Sequence, residues 1–367
     1  MTDVLRRPDR GQHPSGFIDN LAVGGPTVNQ STTKPATIYD VARVAGVSHQ
    51  SVSNYLRGVK GLRQTTIDRV EAALATVDYR ANITARNLRQ GRTGMIALSI
   101  PSLEQSYFAE LAQSVIHAAR EEGLSVFVET TESDRERELA TLSHFGGDVV
   151  DGVIFAPSVL EREDVESHRI GIPLVLLGDR ILESDFDHVT MANRDAAEAA
   201  VLHLLDQGRR RIVALGVEER AEYGAATPRL QGYLDAHRRR GVDPVPGLSA
   251  GGTGWVRSEG ARVMQQVIDS GAPFDAVFAF NDALALGALR ALQSSGRRVP
   301  ADVALVGFDD TQDALYSTPS LTSIAPGRES LAHEAVRMLV ERIAGDRAPA
   351  REIHVGFHLE CRESSAA

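Results

Sequence analysis

The chain has 367 residues, 43% hydrophobic and 24% charged, a composition ordinary for a globular protein of two or three domains. No apolar run approaches the roughly 20 residues that cross a bilayer, and the first residues lack the apolar core of a secretory signal, so we expect a cytoplasmic protein without a membrane partner. The single cysteine, Cys361, excludes a disulfide framework and a cysteine-based zinc site.

The formal net charge of −10 is unevenly distributed along the chain. Residues 34–93 carry ten Lys and Arg against four Asp and Glu, residues 1–33 are neutral, and residues 94–367 hold a net charge of −16. A small basic segment beside a large acidic one indicates a nucleic-acid-binding part. A basic surface that only faces solvent has the same charge count, so sequence motifs must distinguish it from a nucleic-acid-binding surface.

The first 33 residues are rich in Gly, Pro, Asn, Ser and Thr, which predicts a disordered tail. The basic segment then predicts three short helices. Thr37 and Asp40 begin the first helix as a capping pair, Ser48 caps the second, and Thr65 caps the third. Glycines at 46 and 58 end the first two, and the apolar face of the third comprises Ile67, Val70, Leu74 and Val77.

The second of these helices has two distinct sides. Val52, Tyr55 and Leu56 lie on one side, whereas the other side carries four polar residues: His49, Gln50, Ser53 and Asn54. Short polar side chains near a helix N-terminus suit a recognition helix in the major groove, because Gln and Asn pair with adenine. An ordinary exposed polar face has the same pattern.

From Met95 onward, apolar strands alternate with helical patterns. This order predicts parallel sheets covered on both faces, in two lobes, with a ligand site beyond the carboxyl ends of the strands. The predicted strands are 95–100, 125–129, 152–156, 173–177, 211–216, 276–280 and 303–308, and the predicted helices include 195–207, 258–270, 282–295 and 328–344.

Two other classes of protein share this alternation. A nucleotide-dependent enzyme is disfavoured because no phosphate-binding glycine motif, zinc-protease motif or nucleophile elbow is present, and the histidines lack metal-ligand spacing. A sugar-binding protein without a DNA-binding role is disfavoured by the added basic segment. We therefore expect no enzymatic activity, no cofactor and no metal.

The segment IYDVARVAGVSHQSVSNYLRG (38–58) resembles the helix-turn-helix of the LacI/GalR family of transcriptional repressors. ARNL (85–88) is similar to the family's hinge helix, and the likeness continues through SYFAEL (106–111), DGVIF (151–155), RLQGY (229–233), FNDALALGAL (280–289), VPADVALVGFDD (299–310) and PSLTSI (319–324). The resemblance implies an all-α helix-turn-helix domain followed by a two-lobed α/β, periplasmic-binding-protein-like core.

The implied domains are a tail at 1–33, a DNA-binding domain at 34–80, a hinge helix or linker at 81–93 and an effector-binding and dimerisation core at 94–367. Within the core, the first lobe comprises about 94–192 and 325–352, and the second about 193–324 and 353–367. The resemblance implies a repressor that binds a pseudo-palindromic operator as a homodimer under the control of a small-molecule effector, a sugar or, as the alternative, a purine.

Site residues follow from the resemblance position by position. His49, Gln50, Ser53 and Asn54 match base-reading positions, and further DNA contacts are implied for Ser48, Arg57, Thr66, Asn82, Ala85 and Leu88. Leu88 matches a side chain that inserts into the minor groove. The implied effector contacts are Tyr107, Phe108, Arg229, Trp255, Asn281, Asp282 and Asp309. In LLGDR (176–180) a family carboxylate position falls on Gly178, with Asp179 next to it.

Overall fold

A computed structural model describes residues 36–56, 59, 61–77, 92–146, 148–168, 171–217, 224–251 and 254–366. The chain forms two compact units that divide near residue 82. The predicted tail at 1–33 and residues 81–91 of the predicted hinge helix or linker lie outside the described residues. Every helix among the described residues is too short or too polar to span a bilayer.

The described residues of the first unit form three helices, α1 (Ile38–Ala45), α2 (His49–Leu56) and α3 (Gln64–Thr76). Their shared core consists of small and β-branched side chains, which allow short helices to pack closely; the buried members are Val41, Ala42, Ala45, Val52, Val70 and Ala73. The Asp40 carboxylate accepts hydrogen bonds from the Thr37 amide and hydroxyl at 2.9 and 2.8 Å, as the capping prediction requires.

Two local predictions in this unit are wrong. The third helix begins at Gln64, with Arg63 in the extended capping position, because the Arg63 carbonyl already accepts hydrogen bonds from the Thr66 and Ile67 amides. Thr65 therefore lies within the first turn. Leu56, predicted on the apolar side of α2, is 38% exposed at the end of that helix, whereas Val52 is fully buried.

In the second unit, the part of the chain that the structure describes forms two six-stranded sheets. The first has the order β11-β5-β4-β3-β1-β2 and is parallel throughout; the second has the order β12-β10-β9-β8-β6-β7 and is parallel except for the β10–β12 pair. The strands are β1 (Met95–Ile100), β2 (Ser125–Thr130), β3 (Val153–Phe155), β4 (Leu174–Leu177), β5 (Asp187–Met191), β6 (Ile212–Leu215), β7 (Ser249–Ala250), β8 (Ala276–Ala279), β9 (Ala304–Phe308), β10 (Thr322–Ala325), β11 (Glu352–Val355) and β12 (His358–Glu360).

Nine helices lie among these strands in the part of the chain that the structure describes. They are α4 (Ser106–Glu121), α5 (Arg135–His144), α6 (Arg162–Ser167), α7 (Asn193–Asp206), α8 (Ala226–Arg240), α9 (Arg257–Asp269), α10 (Asp282–Ser294), α11 (Gln312–Leu315) and α12 (Arg328–Ile343). The parallel-sheet architecture predicted from the alternation is confirmed, and the seven predicted strands match β1–β4, β6, β8 and β9 within one or two residues.

The chain passes between the two sheets three times: after β5, after β10 and after β11. Two of these passages touch at Gly327 and Gly356. Gly327 has a left-handed φ of 71°, and a β-carbon there would collide with the Gly356 carbonyl oxygen, so only glycine fits this crossing. The passages hold the carboxyl ends of the two sheets on either side of one cleft.

The predicted limits of the two lobes need two adjustments, the first because the limit between residues 324 and 325 falls within β10 (Thr322–Ala325) of the second sheet. Residues 352–355 form β11, which pairs in parallel with β5 at the edge of the first sheet. A boundary between residues 352 and 353 therefore falls within a strand of the first sheet. The polar sequence EIHV has no apolar run to mark it as a strand, and only its pairing with β5 does so.

Candidate functional site

The first candidate surface is the polar side of α2. Ser48, His49 and Gln50 are exposed, and Ser53, Asn54 and Thr66 are half-buried. The Ser48 hydroxyl accepts a hydrogen bond from the Ser51 amide at 3.1 Å, which satisfies a donor at the helix start and confirms the predicted cap. The Gln50 amide donates to the Asn54 side chain at 3.2 Å, so two predicted base-reading residues lie together one turn apart.

One exposed residue on this surface was missed by the sequence analysis. Tyr39, on α1, is 66% exposed, and its ring lies 5.3 Å from that of His49. The sequence does contain a signal for this residue, because Tyr39 is a large aromatic side chain that lies outside the apolar face of its helix. The remaining predicted DNA contacts, Arg57, Asn82, Ala85 and Leu88, lie outside the described residues.

The second candidate site is a cavity of about 260 Å³ in the cleft of the second unit. The ends of β3, β4, β5, β8 and β9, together with the first turn of α4, bring polar and aromatic side chains to its wall. Six of the seven predicted effector residues line this inner cavity: Tyr107, Phe108, Arg229, Trp255, Asn281 and Asp309.

Arg229 is the buried cation of the inner cavity. Its Nε donates to the Asn193 side chain at 2.7 Å, and its Nη1 donates to the Phe280 carbonyl oxygen. Its Nη2 has a weaker contact with the Met191 sulfur at 4.0 Å. Burial lowers the pKa of Arg229, while nearby carboxylates, first among them that of Asp309, oppose this shift. These contacts use three of the five guanidinium N–H groups and orient the fork at the cavity.

Trp255 provides an aromatic wall beside this arginine. Its ring centroid lies 5.2 Å from the Arg229 guanidinium carbon and 6.0 Å from the ring of Phe280. Asn281 holds it in place, because the Asn281 amide donates to the Trp255 carbonyl oxygen at 3.1 Å. The buried indole Nε1 finds no hydrogen-bond partner among the described residues.

Of the described residues, Asp309 and Asp179 bring carboxylates to the inner cavity. Asp309 has a positive φ of 117° directly after β9. Burial raises the pKa of Asp309, and the charge of Arg229 acts against that shift. Burial likewise raises the pKa of Tyr107, with Asp309 and Asp179 adding to the effect. Asp179, and not Gly178 before it, brings a carboxylate to the cleft on the LLGDR segment.

The structure places Asp282, the seventh predicted effector residue, away from the cavity. Its carboxylate is buried against the loop after β9, where it accepts hydrogen bonds from the Thr311 amide at 2.8 Å and the Ser323 hydroxyl at 2.6 Å. Burial raises the pKa of Asp282 to about 7, and the hydrogen bonds from Ser323 and Thr311 oppose the shift. Asp282 therefore supports the loop that carries Asp309 and does not face the ligand space.

Within the described part of the chain, the inner cavity combines the Arg229 guanidinium donor with the carboxylate acceptors of Asp309 and Asp179, between the rings of Trp255, Tyr107 and Phe108. Hydroxyl groups both donate and accept, and the carbon-bound hydrogens of a sugar ring pack on aromatic faces. Among the described residues, no group of three or more His, Cys, Asp or Glu side chains has the arrangement of a metal site. The wall suits a small polar ring.

Comparisons with known proteins agree for both units. Residues 37–82 match the family model described as bacterial regulatory proteins, lacI family, and residues 201–365 match a periplasmic binding protein-like domain. The HTH-type transcriptional regulator CelR of Thermobifida fusca is 32% identical over 339 residues, covering 89% of this chain and 98% of CelR. The repressor CytR of Escherichia coli K12 is 30% identical, covering 90% and 97%.

Solved structures give the same result. A putative LacI-family regulator from Sanguibacter keddieii is 44% identical with a TM-score of 0.69, covering 75% of this chain and all of that one. A CelR–cellobiose complex is 30% identical with a TM-score of 0.67, covering 90% and 100%. A lac repressor dimer bound to operator and an anti-inducer is 27% identical with a TM-score of 0.74, covering 91% and 100%.

Proposed function

Since the chain belongs to the LacI family of DNA-binding transcriptional regulators and is not an enzyme, we propose that it represses transcription from a pseudo-palindromic operator that it binds as a homodimer. A small-molecule effector, a sugar, binds in the cleft and controls operator affinity. The observation that carries the effector assignment is the inner cavity, with its buried Arg229 between carboxylates and aromatic rings. The protein acts in the cytoplasm, because operator DNA lies there.

The DNA-binding roles are assigned to the polar side of α2. His49, Gln50, Ser53 and Asn54 read base edges in the major groove, and Ser48 and Thr66 contact phosphates. This assignment is supported by the exposure of Ser48, His49 and Gln50 and by the net positive charge of the basic segment. Roles for Arg57, Asn82, Ala85 and Leu88 rest on family resemblance alone.

The choice of a sugar over a purine is supported by the acceptor groups of the cavity. Asp309 and Asp179 offer carboxylate oxygens that suit several hydroxyl donors, and the CelR–cellobiose complex is a relative with a sugar bound. A purine remains the second candidate, because the face of Trp255 also suits a planar base. The effector contacts in this proposal are Tyr107, Phe108, Arg229, Trp255, Asn281, Asp309 and Asp179.

The regulatory proposal is tested by measuring effector affinity with and without operator. Coupling between two sites is reciprocal and typically amounts to about 1–3 kcal/mol, so operator DNA is expected to change the effector Kd by roughly 5- to 150-fold. The measurement is calorimetric titration of sugars, with adenine and guanine as the purine arm, into the free protein and into its operator complex. Equal affinities in the two states would contradict control by the effector.

A second prediction concerns base reading by Gln50. Gln50→Ala is expected to relax base preference at particular operator positions, since a good bidentate pair with adenine contributes about 1–3 kcal/mol of discrimination. Selection from a randomised operator library, with Gln64→Ala as the matched control on α3, measures this. An identical consensus from the wild type and Gln50→Ala rejects a reading role for Gln50.

A further inference from the structure

The cleft has a second compartment next to the inner cavity. This outer compartment, of about 870 Å³, is lined by the first turns of α6, α7 and α8 and by the loop after β4. It shares four lining residues with the inner cavity, namely Asp179, Arg180, Met191 and Gly224. A ligand in the inner cavity therefore faces directly into the outer compartment.

The sizes of the two spaces differ in a way that bears on the ligand. Drug-sized ligands occupy pockets of roughly 300–1,000 Å³, and the inner cavity of about 260 Å³ falls below that range. It holds one ring with its substituents. The outer compartment lies within the range, so the whole cleft has room for a molecule of at least two rings.

The charges of the outer compartment disfavour an anion. Among the described residues, three arginines line it, and each is already engaged by the protein: Arg162 pairs with Glu166, Arg194 pairs with Asp235, and Arg180 donates to the Val159 and Leu160 carbonyls. Five carboxylates of the described residues line the same space: Glu161, Glu163, Asp179, Glu183 and Asp195. A phosphorylated sugar or a nucleotide would meet uncompensated negative charge here.

Asn193 connects the two compartments. It lines the outer compartment, and its side-chain oxygen holds the Arg229 Nε of the inner cavity. Its buried Nδ2 finds no hydrogen-bond partner among the described residues. Further out, the exposed side chain of Gln231, on α8, offers both a donor and an acceptor.

We propose that the effector is a neutral polyhydroxylated molecule of at least two linked rings, an oligosaccharide or a glycoside. One ring occupies the inner cavity, and the next lies in the outer compartment beside Gln231. This inference rests on the proposed function and adds the size and charge of the ligand.

The test uses the fluorescence of Trp255, the only tryptophan of the chain, which reports from the wall of the inner cavity. The full-length protein is titrated with glucose, galactose, mannose and xylose, with disaccharides made from them, and with the corresponding sugar phosphates. A disaccharide is expected to bind about tenfold more tightly than its single-ring constituents, since two or three added hydrogen bonds contribute about 0.5–1.5 kcal/mol each.

A substitution that removes the side-chain amide from the outer compartment sharpens the test. Gln231→Ala is expected to weaken disaccharide binding by roughly 2- to 12-fold, as for the loss of one hydrogen bond, while leaving single-ring affinity within about twofold, and Gln266→Ala, the same change at an exposed position of α9, is the control. Equal binding of one-ring and two-ring sugars, preference for a phosphate, or no effect of Gln231→Ala overturns the inference. If single sugars bind and alter operator affinity but disaccharides bind no more tightly, the proposed function is retained and the outer subsite is rejected. If no sugar binds, both proposals are rejected.

Discussion

Val52→Asp is expected to abolish operator binding while leaving ligand binding by the second unit intact. Val52 is fully buried at the centre of the three-helix core. An unpaired carboxylate there costs about 3–5 kcal/mol, which approaches the whole stability of a domain of this size. Without a folded core, α2 cannot present its polar side to a groove, whereas the inner cavity lies in the other unit.

Val44→Asp provides the matched control, because Val44 is 47% exposed on α1 and the change adds the same charge to the same unit. Hydrogen exchange of residues 36–77 in the full-length protein reports folding, a gel shift with operator reports DNA binding, and Trp255 fluorescence reports the cleft. Exchange protection should be lost in Val52→Asp and kept in Val44→Asp. Wild-type operator affinity in Val52→Asp would show that the three-helix core is not needed for recognition.

Arg229→Met is expected to weaken effector binding by roughly 30- to 150-fold, the equivalent of about 2–3 kcal/mol for hydrogen bonds from a charged donor. Methionine matches much of the length of arginine and leaves an apolar chain beside Phe308, whose ring centroid lies 3.5 Å from the guanidinium carbon. Operator binding in the absence of effector should be unchanged, so the variant represses without responding to its ligand. Calorimetry and operator titrations measure the two effects.

The control for Arg229→Met is Arg239→Met on the same helix. Arg239 is 63% exposed and pairs with Glu198 at 3.0 Å, and exposed ion pairs contribute about 0–1 kcal/mol. This variant should bind effector as the wild type does. Since Arg229 also holds Asn193, the thermal midpoint of the Arg229→Met protein is compared with that of Arg229→Lys, which keeps the charge. Wild-type effector affinity in a folded Arg229→Met protein would remove Arg229 from the binding site.

Elements that lie within the apolar core could be predicted from the sequence almost to the residue. MIALSI forms β1 at residues 95–100, and five of its six residues are buried. The strand β5, DHVTM, was missed although all five of its residues are buried. The carboxylate of its Asp187 forms ion pairs with the guanidinium groups of Arg342 and Arg351, each with an N–O distance of 2.8 Å, and both arginines are distant in sequence. A buried strand with polar residues has no local hydrophobic signal.

The helix α8 shows the same dependence on distant partners. Its sequence ATPRLQGYLDAHRRR is strongly polar, and no helix was predicted there. It packs closely on α7, because a β-carbon at Gly232 would collide with the Arg194 carbonyl and the Glu198 amide of that helix. This packing places Arg229 in the cleft, so a central residue of the site depends on a helix that the local pattern does not reveal.

The family, the two-part organisation, the parallel sheets and most residues of the inner cavity could be inferred from the residues alone, because short motifs and buried apolar strands are local properties. Which carboxylates face the ligand depends instead on the folded arrangement of the chain. Asp282 and Asp309 both follow strands of the second sheet, yet the first turns toward Thr311 and Ser323 and the second toward Arg229 and the cavity. The direction of a side chain depends on helix placement and backbone conformation, which are set by contacts between segments far apart in the chain.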